Sequence, residues 1–212
     1  MGLRDLKKQQ TRERITAAAW ALFADRGYDR VTVADVARRA EVSLATVFNY
    51  FADKEELFYG PLEAFGERLV EAVRTREAGA TVGAAVWGFL QRSDGLLARI
   101  EAGDTAMLAR VRAVNRVIAE SPALQARELR ALSRTTDRLA ALIVTETGVH
   151  EVHAQVVANA LLGVHRALLV HVRRKVLDGD DVTRLATEVQ RLGQEAFDML
   201  ERACPEAPLN LA

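Results

Sequence analysis

Apolar residues recur at spacings of three and four along almost the whole chain, and this periodicity constrains the fold more than any other feature. Such spacing places the apolar side chains on one face of a helix. Runs that alternate apolar and polar residues between turns, as strands do, are missing. The sequence therefore predicts an all-α protein, in which short N-terminal helices are followed by longer ones.

Glycine and proline residues divide the periodic pattern into helices. The long helices are predicted over 53–76, 81–100, 104–119, 122–147, 149–178 and 181–202. Pro61 is expected either to kink the first of these or to begin a new helix there. The segment 81–100 is apolar on most of its circumference, so it must be buried among several layers of helix.

Three short segments at the N-terminus carry signals for the start of a helix. Thr32 is followed at three residues by Asp35, and Ser43 opens the next helix as a cap. Asp53 and Glu56 have the spacing of a capping box. Two short helices joined by a tight turn are typical of a helix-turn-helix, whose second helix enters the major groove.

The stretch from Thr32 to Leu57 resembles the signature of the TetR family, and so do Arg14-Ile15, Ala18-Ala19, Leu22-Phe23 and Gly27-Tyr28 before it. The resemblance covers about residues 10–58 without gaps. It implies a bacterial repressor that binds a palindromic operator as a homodimer and is released by an unknown small-molecule effector. The alternative is a three-helix module that serves only as a scaffold. Glu41 stands where the family usually has glycine, which implies a strained backbone or a slightly different turn.

The candidate DNA contacts lie in and around the second helix of this module. Hydroxyl and amide groups near its N-terminus suit phosphates, and Leu44 and Ala45 suit thymine methyl groups. Val47, Phe48 and Phe51 are expected mostly to pin the helix to the core, while the resemblance implies that Phe48 also reaches the groove. The predicted contacts are Thr32, Arg38, Arg39, Ser43, Leu44, Ala45, Thr46, Phe48, Asn49, Tyr50 and, on phosphate, Lys54.

Charge is unevenly distributed, although the net charge is zero. Residues 1–14, which we call the arm, carry five basic residues against two acidic ones, a net charge of +3. A basic arm suits a phosphate backbone, and the alternative is a solvated, frayed terminus. We predict a DNA-binding domain with this arm over 1–54, a helical ligand-binding and dimerisation domain over 55–204, and a tail over 205–212.

The last two helices are predicted to form the homodimer interface. Apolar residues on the final helix alternate in steps of four and three, which forms a seam for one long partner. Two such helices from each subunit suit a two-fold four-helix interface, and the alternative is that both stripes pack inside one subunit. The stripes are Val182, Leu185, Val189, Leu192, Ala196 and Met199, and Val149, Val152, Val156, Ala160, Val164 and Leu168.

The larger domain is also predicted to hold the effector, because apolar bulk there is interrupted by a few polar groups. The alternative is that these aromatic and methionine residues are plain core. The candidate ligand-binding residues are Phe65, Trp87, Met107, Arg110, Asn115, Asn159 and His165.

Other classes of protein find little support in the sequence. Motifs of hydrolases, phosphate-binding loops and zinc proteases are missing, so no enzyme is expected. His150 and His153 lie one helical turn apart and could share a metal, but the four histidines are spread over several turns, so we expect no metal and no cofactor. A single cysteine and the lack of a signal peptide predict a cytoplasmic protein away from membranes.

Overall fold

The computed structural model describes residues 3–92, 105–179 and 182–203, which form nine helices and no strand. This confirms the predicted all-α class. The helices are α1 (Leu3–Arg26), α2 (Val33–Arg39), α3 (Leu44–Tyr50), α4 (Lys54–Arg74), α5 (Val82–Arg92), α6 (Thr105–Glu120), α7 (Pro122–Thr147), α8 (Glu151–Asp178) and α9 (Val182–Ala203).

Helix boundaries follow the local capping chemistry. The predicted and observed ranges of α7 coincide. Helix α8 begins two residues later than predicted, because His150 acts as the N-cap and its Nδ1 accepts from the amide of Val152 at 3.2 Å. Gly179, with φ +85°, closes α8 in the left-handed conformation that glycine adopts without strain.

Helix α4 runs without interruption from Lys54 to Arg74, through Gly60 and Pro61. The alternative in which a new helix begins at Pro61 is therefore wrong. A proline removes one intrahelical hydrogen bond, and the buried residues Phe58, Leu69 and Val73 on either side of it stabilise the continuous helix. A kink at Pro61 stays a prediction.

The chain divides into two compact units. The smaller unit comprises Met1–Glu63 and Arg116–Glu128, and the larger comprises Ala64–Asn115 and Leu129–Ala212. Within the smaller unit, the Tyr59 hydroxyl donates to the Leu124 carbonyl at 2.9 Å, and Arg127 pairs with Asp53 at 3.1 Å. The predicted boundary of the DNA-binding domain after residue 54 stays a prediction.

The core of the larger unit is built around α8, with buried residues from α4, α5, α7 and α9 packed against it. Ten residues of α8 are buried in this core, and among the described residues α8 is the one helix long and apolar enough to cross a membrane by length and composition. On α9, Leu185 and Val189 are buried in the same core and Leu192 packs against it. The prediction that Leu185 lies at the dimer interface is therefore wrong, because its side chain packs inside its own subunit, whereas Leu192 is half-buried and Met199 is exposed. A dimer interface formed by the last two helices stays a prediction.

Candidate functional site

The helix-turn-helix begins at Thr32, the N-cap that the sequence predicts for α2, and the structure completes this cap into a capping box with Asp35. The amide of Asp35 donates to the Thr32 hydroxyl oxygen at 3.1 Å, and the amide of Thr32 donates to the Asp35 carboxylate at 3.0 Å. Hydrogen bonds from the Thr32 side chain and backbone lower the pKa of Asp35. Both backbone donors are satisfied locally, which fixes where α2 starts.

The turn between α2 and α3 contains Glu41 at φ +54°. Among the described residues, Glu41 is the only one other than glycine with a positive φ. The amide of Val42 closes the turn on the Ala37 carbonyl at 3.0 Å. Of the two alternatives for this position, a strained backbone is therefore the one observed.

Helix α3 presents one face to solvent and is held by the other. Ser43 caps it by accepting from the amide of Thr46 at 3.0 Å. Val47 and Phe51 are buried in the core of the unit, whereas Phe48 is 51% exposed. The expectation that Phe48 pins the helix is wrong, and its ring lies on the solvent face. The other predicted contacts exposed there are Ser43, Leu44, Ala45 and Asn49.

The C-terminal end of α3 is joined to α1 by Arg12, for which the sequence predicted no role beyond its charge. Its Nη1 donates to the Tyr50 carbonyl at 3.2 Å, and its guanidinium lies 4.7 Å from the centre of the Phe51 ring. Glu56 lies 3.6 Å from the same guanidinium. The sequence signal that could have indicated this role is the position of Arg12, about one helical turn before the apolar stripe of α1.

The basic residues predicted to contact DNA differ in their surroundings. The Lys54 ammonium lies 4.1 Å from the centre of the Tyr28 ring, and partial burial lowers the pKa of Lys54. Arg38 is exposed and pairs with Asp35 at 3.3 Å. Arg39 and Thr32 are exposed. Each of them remains a predicted DNA contact.

Two of the predicted ligand-binding residues come together inside the larger unit. The imidazole of His165 stacks on the Phe65 ring with centroids 4.9 Å apart, and Phe89 lies 5.3 Å from Phe65. His165 is buried, and desolvation lowers its pKa to about 4, so the ring is neutral at pH 7. Its Nδ1 has no hydrogen-bond partner among the described residues.

The other predicted ligand-binding residues do not join this cluster. Asn159 is exposed and donates to the Gln155 carbonyl at 2.7 Å. Trp87 packs on Phe197 and donates to Gln194 at 2.8 Å. The buried Asn115 accepts from Arg173 at 3.2 Å. The side chains of Met107 and Arg110 lie outside those described.

Two surface features of the larger unit were not fully predicted. A groove of about 590 Å³ lies between α4 and α7, and none of the predicted ligand-binding residues lines it. The second feature is an exposed apolar face on α8, which joins Val152 and Val156 of the predicted stripe to Val170, a residue outside that stripe. No group of three metal-ligating side chains occurs in the described part of the chain.

Comparison with known proteins links this architecture to a family. Residues 15–59 match the model described as bacterial regulatory proteins, tetR family. The regulator TcmR of Streptomyces glaucescens is 33% identical over 150 residues, which are 70% of this chain and 65% of TcmR. The matched region therefore spans slightly less than two thirds of that relative.

Two solved structures share the fold. NalD of Pseudomonas aeruginosa has a TM-score of 0.55 at 17% identity, with 90% of this chain and 96% of NalD covered. The SmeT–triclosan complex has a TM-score of 0.55 at 20% identity, with 92% of this chain and 91% of SmeT covered. Helix-turn-helix and sequence match agree: the N-terminal module over residues 15–59 is that of the TetR family of bacterial regulatory proteins, and the chain is similar to the regulator TcmR over 70% of its length.

Proposed function

We propose that this protein is a cytoplasmic, homodimeric transcriptional regulator that binds a palindromic operator and is released from it by a small apolar ligand. The observation that carries the proposal is the solvent face of α3. A short helix, capped at Ser43 and held from behind by Val47 and Phe51, exposes apolar and amide side chains for base edges.

The exposed side chains of α3 suit a duplex better than a protein partner. Leu44 and Phe48 are 45% and 51% exposed, and Asn49 lies beside them. Apolar groups contact the thymine methyl, and an asparagine amide makes a paired hydrogen bond with adenine. Because α3 has no arginine, we expect an operator whose half-sites are read mainly at A·T pairs.

The exposed apolar face of α8 supports a dimer. Val152, Val156 and Val170 are 56%, 61% and 55% exposed, and they lie at spacings that bring them to one side of the helix. Gly163 lies in the same register, and a Cβ added there would meet nothing within 4 Å. The exposed side chains of Asn159 and Arg166 flank this glycine on the same side of the helix, and a face with a glycine at its middle is suited to close approach by the same face of a second copy.

The cluster of His165, Phe65 and Phe89 supports ligand sensing. A neutral imidazole offers one donor and one acceptor, and a buried polar atom without a partner costs about 1–3 kcal/mol. A flat, largely apolar ligand with one hydrogen-bonding group would satisfy Nδ1 of His165 and stack on the aromatic rings. Such a ligand weakens DNA binding only if it binds the DNA-free conformation more tightly.

The proposal is tested by selecting genomic fragments with the purified protein and measuring affinity for the recovered duplex against salt concentration. We expect half-sites separated by about one helical turn of DNA or a multiple of it. Asn49→Ala should weaken binding of the selected duplex about tenfold and relax the base preference at one position in each half-site. Gln91→Ala, which alters an exposed amide side chain on α5 in the larger unit, is the matched control and should bind like the wild type.

The ligand part of the proposal uses the same duplex. A library of planar aromatic compounds is screened for release of the bound duplex, and each active compound is tested again on His165→Leu. Loss of the response in His165→Leu, with duplex affinity unchanged, supports the site. Failure to recover any salt-sensitive duplex would contradict the proposed function as a whole.

A further inference from the structure

The N-terminal half of α1 has a charge pattern that its packing does not explain. Lys7, Thr11, Ile15, Ala18 and Leu22 follow one another at spacings of three and four, so they lie on one face of the helix. From Ile15 onward this face is buried in the core of the smaller unit. Before Ile15 the same face carries lysines, and Lys7 and Lys8 are exposed.

The opposite face of the arm is acidic or neutral. The amide of Gln9 donates to Glu13 at 3.0 Å, and Leu6 beside them is exposed. Lys7, Lys8 and Arg14 form no ion pair with any side chain that the structure describes. The arm therefore has a basic face and an acidic or neutral face. The unpaired lysines lie on the basic face, which continues into the buried apolar stripe of α1.

The charge of the module depends on this arm. Residues 15–63 carry five basic residues against eight acidic ones, a net charge of −3, which the +3 of residues 1–14 cancels. Within 15–63, Arg38 is paired with Asp35, and the Lys54 ammonium lies over the Tyr28 ring. Without the arm, this module would meet a polyanion with an excess of acidic residues, although Arg38 and Arg39 lie exposed at the end of α2.

The position of the arm is fixed by Arg12. Its guanidinium donates to the Tyr50 carbonyl at 3.2 Å and covers the Phe51 ring, so α1 leaves the module at the C-terminal end of α3. The helix continues from there to Leu3, which at 1.5 Å per residue is roughly 13 Å, or about four base pairs of duplex. Lys7 and Lys8 lie on this part of the helix.

We propose that the arm is a second DNA-contacting element, whose basic face binds phosphates next to the base pairs covered by the C-terminal end of α3. This rests on the proposed function, since it assigns a further contact with the same duplex. The juxtaposition with α3 favours the phosphates of a duplex over those of a lipid surface. The arm adds affinity for any sequence, and α3 selects among sequences.

The test compares two double variants with equal changes of charge on opposite faces of the arm. Lys7→Gln/Lys8→Gln removes two positive charges from the basic face, and Leu6→Glu/Gln9→Glu adds two negative charges to the other. Affinity for the selected duplex is measured between about 50 and 300 mM salt, and the phosphates needed for binding are mapped by ethylation interference.

If two lysines in each subunit of a dimer no longer neutralise phosphates, the slope of log affinity against log salt should fall by about 3.6. We expect Lys7→Gln/Lys8→Gln to show this change, to bind at least about tenfold more weakly near 0.15 M salt, and to lose interference at one phosphate cluster in each half-site. Leu6→Glu/Gln9→Glu should keep that cluster and most of the slope.

Three results would overturn the proposal. One is a wild-type slope and interference pattern in Lys7→Gln/Lys8→Gln, with duplex binding by the wild type intact. Another is an equal loss of affinity in both variants, which would indicate general charge repulsion. The third is lysine-dependent binding of the wild type to anionic vesicles with no lysine dependence on the duplex. If the wild type binds no duplex, the proposed function fails as well, so the two failures are distinguishable.

Discussion

Single residues decide the geometry of the turn before α3. Glu41 occupies a left-handed conformation that costs a side chain with a Cβ about 1–2 kcal/mol and costs glycine much less. From the sequence, two alternatives for this position could be stated, but neither could be chosen. The structure shows the choice through the hydrogen bond from the amide of Val42 to the Ala37 carbonyl, which closes the end of α2 when the residue between them is left-handed.

Glu41→Gly should stabilise the protein. Relief of the left-handed backbone is partly offset by the greater entropy of glycine in the unfolded chain, so the expected gain is up to about 1 kcal/mol in urea unfolding. Glu41→Ala removes the same charge but keeps a Cβ, and it should change stability by less than about 0.5 kcal/mol. An equal gain of stability from both substitutions would show that the effect arises from the lost charge and that backbone strain at position 41 contributes nothing.

Burial of His165 should make stability depend on pH. The unfolded chain binds a proton at this residue with a pKa near 6.5, whereas the folded protein binds it only at about 4. His165 therefore leaves the free energy of unfolding unchanged above about pH 6.5. Its protonation in the unfolded chain lowers that free energy as the pH decreases to about 4, by on the order of 3 kcal/mol.

His165→Phe removes the titrating group and keeps an aromatic ring beside Phe65. The free energy of unfolding, measured in urea at pH 7.5 and pH 4.5, should fall less in this variant than in the wild type. His165→Leu repeats the comparison with an aliphatic side chain. Equal losses of stability in all three proteins would show that the dependence on pH arises from other residues.

Helices were predicted well where a local signal defines them. The caps at Thr32 and Ser43 are confirmed, because a hydroxyl beside free amides acts within three residues. The continuity of α4 through Pro61 was not decided by sequence, since one missing hydrogen bond competes with packing along both halves of the helix. The start of α7 at Pro122, by contrast, could be predicted, because the fixed φ of proline suits the first position of a helix.

The seam of α9 shows what periodicity leaves open. An alternating stripe predicts that a helix packs on a long partner, and α9 does so. It does not say which molecule supplies the partner, and here Leu185 and Val189 pack in the core of their own unit. The prediction of the ligand site was limited in the same way. Phe65 and His165 are far apart in the sequence but stack in the structure, whereas Asn159 faces solvent.

At the scale of the whole molecule, the face of α8 should control assembly. Val156→Glu would place a carboxylate, and by two-fold symmetry a second one, in an apolar interface. An unpaired buried charge costs about 3–5 kcal/mol, so the dimer should dissociate at least about a hundredfold more readily in sedimentation equilibrium.

The control for this prediction is Leu129→Glu, which adds the same charge at an exposed apolar position on α7. It should remain dimeric. Leu185→Glu, in contrast, should unfold or aggregate, since that side chain is 2% exposed in the core. An intact dimer of Val156→Glu would place the interface elsewhere.

The division into two units has a consequence for modularity. The smaller unit is assembled from two stretches of chain, Met1–Glu63 and Arg116–Glu128, so the polypeptide passes between the units three times. A chimera that joined residues 1–63 to a foreign sensor would leave Tyr59 without the Leu124 carbonyl and Asp53 without Arg127. A transplant of this DNA-binding unit must therefore include the start of α7. The unit consists of the N-terminal segment together with a second segment from the middle of the chain.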